Sequence, residues 1–68
     1  MQFLIVRLEK PIKKKVKVLI NGEANGFVNE LLMLDEGWIE VSVNLPKVKT
    51  KEVELKNTTR QKPMEVVI

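Results

Sequence analysis

The sequence predicts an all-β fold, a small antiparallel β-sandwich of six or seven strands. Three observations support this prediction. Val, Ile and Leu dominate the apolar residues, and β-branched side chains favour strands. Several segments alternate apolar and polar residues with a period of two. Asn-Gly, Gly and Pro residues separate these segments at intervals of roughly 8 to 12 residues, as in small sandwiches and barrels.

The first half of the chain begins with two strands. The run from Gln2 to Leu8 is almost entirely apolar and is predicted to be the first strand. From Lys15 to Ile20, charged and apolar residues alternate, which predicts a strand with its lysines facing solvent. Asn21-Gly22 follows directly, and both residue types tolerate the positive φ of a two-residue hairpin. A second pair, Asn25-Gly26, is predicted to turn the chain again.

Residues 27 to 36, FVNELLMLDE, are compatible with two conformations. A helix at 27–36 would have Asn25 as its N-cap and Gly37 as its C′ residue, and the fold would then be α+β. As a strand, Leu32 and Leu34 alternate with Met33. Periodicity does not decide so short an apolar run. Because the neighbouring segments are strand-like, we favour the strand, followed by a turn at 35–37.

The second half contains the clearest alternation in the chain. Residues 38 to 45, WIEVSVNL, place four apolar side chains on one face, those of Ile39, Val41, Val43 and Leu45. Trp38 is out of phase with them and is expected to face away from their core. The segments KEVEL and MEVVI are the last two predicted strands. The number and spacing of the strands suit an immunoglobulin- or prealbumin-like sandwich.

Composition excludes several classes of function. The 68 residues predict a single domain at 1–68, with a net charge of +3 and no Cys, His or Tyr. Without Cys and His, the chain has no thiolate nucleophile or ligand, and it lacks the usual general base near neutral pH and the commonest metal ligand. We therefore expect no enzyme activity, catalytic residue, cofactor or metal site. The sequence shows neither a transmembrane run nor a signal peptide.

The order of turns resembles that of the PEGA domain, a small β-sandwich accessory module of bacterial and archaeal proteins. The segment from Val18 to Glu23, VLINGE, is similar to a strand and Asn-Gly-Glu turn of that family, and Gly26, Gly37 and Pro46 fall at comparable positions. The family's Thr-Pro pair is replaced here by Val28-Asn29. The resemblance implies a non-catalytic accessory domain for protein interaction or spacing within a larger, surface-associated protein, and an extracytoplasmic location.

Two features are candidate binding surfaces. The first is a run of lysines, with Lys13, Lys14, Lys15 and Lys17 as its candidate binding residues. Such a run attracts phosphates or other anions, or simply forms a solvated face. The second is Trp38, which is able to anchor a protein or cell-envelope partner. The alternative function is a small basic β-barrel that binds nucleic acid through the Lys13–Lys17 face. The final segment MEVVI also offers an edge for homodimer formation.

Overall fold

The structure, a computed structural model, describes residues 1–47 and 49–68 and contains seven strands and no helix in those ranges. In chain order the strands are β1 (Gln2–Arg7), β2 (Lys17–Ile20), β3 (Glu23–Phe27), β4 (Leu32–Leu34), β5 (Gly37–Val43), β6 (Lys51–Leu55) and β7 (Met64–Val67). The predicted all-β class is confirmed. No helix in the described ranges is long and apolar enough to cross a membrane.

The strands form two sheets that enclose one core. Sheet A has three strands in the order β4-β1-β7, and sheet B has four in the order β3-β2-β5-β6. Sheet B is antiparallel throughout. In sheet A, β4 is antiparallel to β1 but β7 is parallel to it, with Leu4 opposite Met64 and Arg7 opposite Val67. The sandwich is therefore mixed at this one pair, a departure from the wholly antiparallel prediction.

The core consists of aliphatic side chains from the inner faces of both sheets. Leu4, Val6, Val18, Val41 and Leu55 have no solvent exposure. Six more buried residues complete the cluster: Val16, Ile20, Leu32, Ile39, Val43 and Val66. The predicted inward faces of β2 and β5 are confirmed, because the valines and isoleucines at alternate positions of each strand are buried. No charged or polar side chain is buried in the described residues.

The two Asn-Gly pairs have different structural roles. Asn21 and Gly22 have φ values of 52° and 83° and form the predicted hairpin turn between β2 and β3. The predicted turn at Asn25-Gly26 is wrong, because both residues lie within β3. The register shifts there, because Lys17 pairs with Phe27 and Leu19 pairs with Ala24, so β3 has one extra residue between these pairs. Gly26 has a φ of 72°. This arrangement is a β-bulge with glycine in the left-handed region.

The helical alternative for 27–36 is wrong. A turn follows β3, in which the Glu30 amide donates to the Phe27 carbonyl at 3.3 Å and Asn29 adopts a φ of 68°. Asn29 also donates its amide to the Val6 carbonyl at 2.8 Å, which fixes the turn against β1. The next segment forms β4, in which Leu32 is buried against the core. Tertiary pairing with β1 thus overrides the helix propensity of this leucine-rich run.

Candidate binding site at the basic pole

The predicted lysine run is divided between a loop and a strand. Lys13 and Lys14 lie in the exposed loop before β2, whereas Lys15 and Lys17 alternate with the buried Val16 and face solvent. Lys14 borders a small cleft of about 200 Å³ beside Arg7 and Asn29. The run therefore presents two surfaces rather than one continuous basic face.

The aromatic ring nearest to the lysine run is that of Phe27. Lys17 lies opposite Phe27 in the β2–β3 register, and Lys15 Nζ lies 5.0 Å from the centre of the Phe27 ring. This distance is within the range of a cation–π contact. Phe27 is half-buried and partly covered by Lys15. The ring is thus engaged within the molecule and presents little free face for stacking with a base.

Trp38 is exposed, as the alternation predicts, with 64% of its surface open to solvent. It lies near the start of β5, opposite Glu54 on β6, and the next outward residue, Glu40, lies opposite Glu52. At the other end of β5, Asn44 donates its amide to the Lys17 carbonyl at 2.9 Å. Six residues of extended chain separate Trp38 from Asn44, a distance of about 20 Å. Trp38 therefore lies beside glutamates, one of them paired with Lys56, and apart from the Lys13–Lys17 run.

One end of the sandwich gathers most of the positive charge. At this end β1, β5 and β7 terminate and β2 and β6 begin. In sheet B, Asn44 after β5 donates its amide to the Lys17 carbonyl, and Lys51 lies opposite Val41. Between the sheets, Asn29 donates its amide to the Val6 carbonyl near the end of β1. Nine of the twelve Lys and Arg residues lie here, and we call this end the basic pole: Arg7, Lys10, Lys13, Lys14, Lys15, Lys17, Lys47, Lys49 and Lys51. The acidic residues in its loops are Glu9 and Glu30.

The lysines of the basic pole lack carboxylate partners in the part of the chain that the structure describes. There the ion pairs are Arg7 with Glu65, at 2.6 Å, and Lys56 with Glu54, at 3.4 Å. The only one of the nine basic residues in an ion pair is thus Arg7. The eight lysines leave an excess of positive charge that a bound anion would offset.

An open cleft of about 500 Å³ lies within the basic pole. Its floor is apolar and consists of Leu8, Leu45, Val67 and Ile68. Its walls carry four lysines and one carboxylate: Lys10, Lys47, Lys49, Lys51 and Glu9. The volume lies within the range of small-ligand sites, about 300 to 1,000 Å³. The arrangement suits a ligand that is both anionic and apolar.

The cleft is held in place by backbone hydrogen bonds between the ends of β1 and β7. Glu9 donates its amide to the Ile68 carbonyl at 2.8 Å, and Ile68 donates its own amide to the Arg7 carbonyl at 2.8 Å. On the opposite wall, Lys51 Nζ donates to the Val67 carbonyl at 2.5 Å. The first two bonds join the ends of β1 and β7 within sheet A, and the Lys51 bond connects β6 of sheet B to β7 of sheet A.

Sequence reasoning found the Lys13–Lys17 run but missed the contribution of Lys47, Lys49 and Lys51 to a site. The two lysine groups are thirty or more residues apart in the chain. The antiparallel pairings of β2 with β5 and of β5 with β6 bring them to one end. The available signal was the cluster of three lysines between Pro46 and Glu52, which resembles an ordinary solvated loop.

No group of three or more potential metal ligands of the kinds His, Cys, Asp and Glu occurs among residues 1–47 and 49–68. Comparison with protein families, with curated proteins and with solved structures finds no match for this chain. The geometry of the site therefore carries the functional argument.

Proposed function

We propose that this chain is a non-catalytic interaction module, a PEGA-like accessory or spacer domain of a larger surface-associated protein. We further propose that it binds an acidic segment of a partner protein through the basic pole. The observation that carries this proposal is the gathering of eight unpaired lysines from separate parts of the chain at one end of the described sandwich.

Electrostatics favours this end of the molecule as the contact surface. Like charges brought together on a small domain raise the local positive potential and attract anionic partners from a distance. The opposite end carries acidic residues near the start of β5 and in the preceding turn, among them Asp35 and Glu36. That end also carries Lys56, Arg60 and Lys62 in the loop between β6 and β7, so its charge is mixed. The basic pole is therefore the end that attracts an acidic segment.

The aromatic residues favour a protein partner over nucleic acid. Single-stranded nucleic acids are usually held by exposed aromatic rings on which bases stack. At the basic pole the nearby ring is that of Phe27, which Lys15 covers. The exposed Trp38 lies near Glu40 and Glu52, whose charges repel a phosphate backbone, while Glu54 is paired with Lys56. Binding of nucleic acid through Lys13–Lys17 is the second candidate function, and the same experiment tests it.

The test compares two pairs of substitutions that remove the same charge. Lys14→Gln with Lys49→Gln alters the basic pole, and Lys56→Gln with Lys62→Gln alters the chain outside it. Binding of a fluorescein-labelled glutamate-rich peptide and of a labelled single-stranded oligonucleotide is measured by anisotropy at low salt. We expect the pole variant to bind the peptide about tenfold more weakly and the control variant to change about twofold or less.

Added salt supplies a second criterion, because exposed charges are screened over about 10 Å at 0.1 M ionic strength. Peptide affinity should fall steeply between low and moderate salt. Equal weakening by the two double variants, or no measurable binding of the peptide, would contradict the proposal. Tighter binding of the oligonucleotide than of the peptide would assign the basic pole to nucleic acid instead.

A further inference from the structure

We infer that the cleft of about 500 Å³ at the basic pole is a site for a carboxylate joined directly to an apolar group. This inference deepens the proposed function, on which it rests, by naming the chemical group that enters the cleft. A carboxylate of this kind has two sources, the free C-terminus of a peptide that ends in an apolar residue and a fatty acid. Both combine one negative charge with an aliphatic body.

The floor of the cleft requires an apolar ligand body. Leu8, Leu45 and Ile68 are half-buried and Val67 is 44% exposed, so together they present aliphatic surface to solvent. Covering such surface stabilises a complex by about 25 cal/mol for each Å² removed from water. A purely polar anion, such as a chain of glutamates, contacts the lysines but leaves the floor uncovered.

Lys51 places a positive charge at the floor. It lies opposite the fully buried Val41 in the β5–β6 register, so its side chain leaves β6 on the inner face. Its ammonium group then donates one hydrogen bond to the Val67 carbonyl. A lysine ammonium has three donors, so two remain for a ligand oxygen. Val67 is itself part of the apolar floor, which brings the charge and the aliphatic surface together.

The other lysines surround this point and increase its potential. Lys10 reaches the cleft from the loop after β1, and Lys47 and Lys49 reach it from the loop after β5. Lys47 lies in the exposed turn after β5 and adopts a φ of 61°. A singly charged group bound next to Lys51 at the floor is therefore attracted by all four lysines of the cleft.

The test examines separately the contributions of the carboxylate and of the apolar body of the ligand. Nitrogen-15 NMR titrations of the whole chain are made with octanoate, with acetate, with octanol, and with acetyl-Ala-Ala-Leu bearing a free or an amidated C-terminus. We expect saturable shifts of the Leu8, Leu45 and Val67 amides with octanoate and with the free-acid peptide. Acetate lacks the apolar body and octanol and the amidated peptide lack the charge, so none of these three should saturate.

Substitution of Lys51 provides the matched test. Lys51→Gln should weaken binding of both carboxylates about tenfold, as expected for loss of a charged hydrogen bond, and Lys51→Arg should restore most of it. Lys56→Gln, in the loop directly after β6 and outside the cleft, should leave both affinities unchanged. Tighter binding of octanoate would identify the source as a fatty acid, and tighter binding of the peptide would identify it as a C-terminus.

The inference is overturned if neither carboxylate saturates, or if the amidated peptide binds as tightly as the free acid. These outcomes are distinguishable from failure of the proposed function. A chain that binds the glutamate-rich peptide at the basic pole but ignores octanoate and the free-acid peptide keeps the interaction function and loses this site.

Discussion

Positive φ angles in this small domain occur at residues that tolerate them, with one exception. Asn21, Asn29 and Asn57 adopt φ values of 52°, 68° and 57°, and asparagine is among the residues enriched in this region. Lys47, at 61°, belongs to the cleft instead. Gly22 and Gly26 share positive φ values but differ in their surroundings. Comparing the same substitution at both glycines therefore separates the cost of positive φ from the cost of steric overlap at the β-bulge.

Gly26→Ala is expected to destabilise the fold more than Gly22→Ala. Both substitutions place a side chain at positive φ, which costs about 1 to 2 kcal/mol. At Gly22 a Cβ meets nothing within 4 Å, whereas at Gly26 it would overlap the side chain of the buried Leu32. Overpacking adds about 1 to 3 kcal/mol at Gly26. The free energies of unfolding come from urea titration, and equal losses at the two positions would show that the bulge has room for a side chain.

At the scale of elements, the loop from 56 to 63 is fixed to the start of β1 by one hydroxyl group. Thr58 Oγ1 accepts the Phe3 amide at 2.7 Å and donates to Gln2 Oε1 at 2.6 Å. The Thr58 amide donates to the same glutamine oxygen at 2.9 Å. This loop leads into β7, so Thr58 positions the last strand of sheet A.

Thr58→Val should destabilise the domain by about 1 to 3 kcal/mol, because the partly buried Phe3 amide loses its acceptor. Thr59→Val is the control, since the Thr59 hydroxyl accepts only the exposed Lys62 amide. That change should cost less than about 1 kcal/mol. Hydrogen exchange of the Phe3 amide gives an independent reading. A Phe3 amide that remains as protected in Thr58→Val as in the parent chain would contradict this role of Thr58.

The sequence was informative about single strands and less so about their partners. Alternation along β2 and β5 predicts which residues face the core, because the period of a strand is a local property. Parallel pairing of β1 with β7 involves residues about sixty positions apart, and no local pattern encodes it. Asn25-Gly26 predicts a turn from sequence alone because a turn and a bulge both require positive φ. The cleft was missed for a similar reason, since topology alone joins its two walls.

The predicted homodimer would form by pairing of MEVVI with a second copy, and β7 is an edge strand of sheet A. A free edge is a template for another strand, and charged side chains at an edge discourage such pairing. At β7 the Val67 carbonyl already accepts a hydrogen bond from Lys51 Nζ. Pairing of β7 with a second copy would have to displace this lysine. Homodimer formation through β7 remains a prediction, and it competes with the cleft for the same side chain.

At the scale of the whole molecule, positive charge is concentrated at one end of the strands. The domain is elongated, with extents of 30, 21 and 17 Å. The basic pole lies at one end of the strands, and Asp35 and Glu36 lie near the other. A domain of this size has a stability of only about 3 to 10 kcal/mol. The lysines of the basic pole form no ion pair in the described residues, so their removal should relieve repulsion between like charges and leave the fold intact. The binding experiments require this.

The parallel pairing of β1 with β7 also determines how the domain responds to mechanical force. Both strands run towards the basic pole, from Leu4 and Met64 to Arg7 and Val67. A pull applied at residues 1 and 68 therefore slides one strand along the other and loads all their hydrogen bonds together. Attachment at residues 9 and 68 would instead peel the strands apart one bond at a time.

Single-molecule pulling on Met1→Cys/Ile68→Cys and Glu9→Cys/Ile68→Cys variants should show a higher rupture force for the first geometry. The chain has no cysteine of its own, so each tether is defined by the introduced pair. Equal forces in the two directions would show that β1 and β7 do not form the mechanical clamp. A sandwich clamped in this way transmits tension from one end to the other without opening, which is the physical property that a spacer needs.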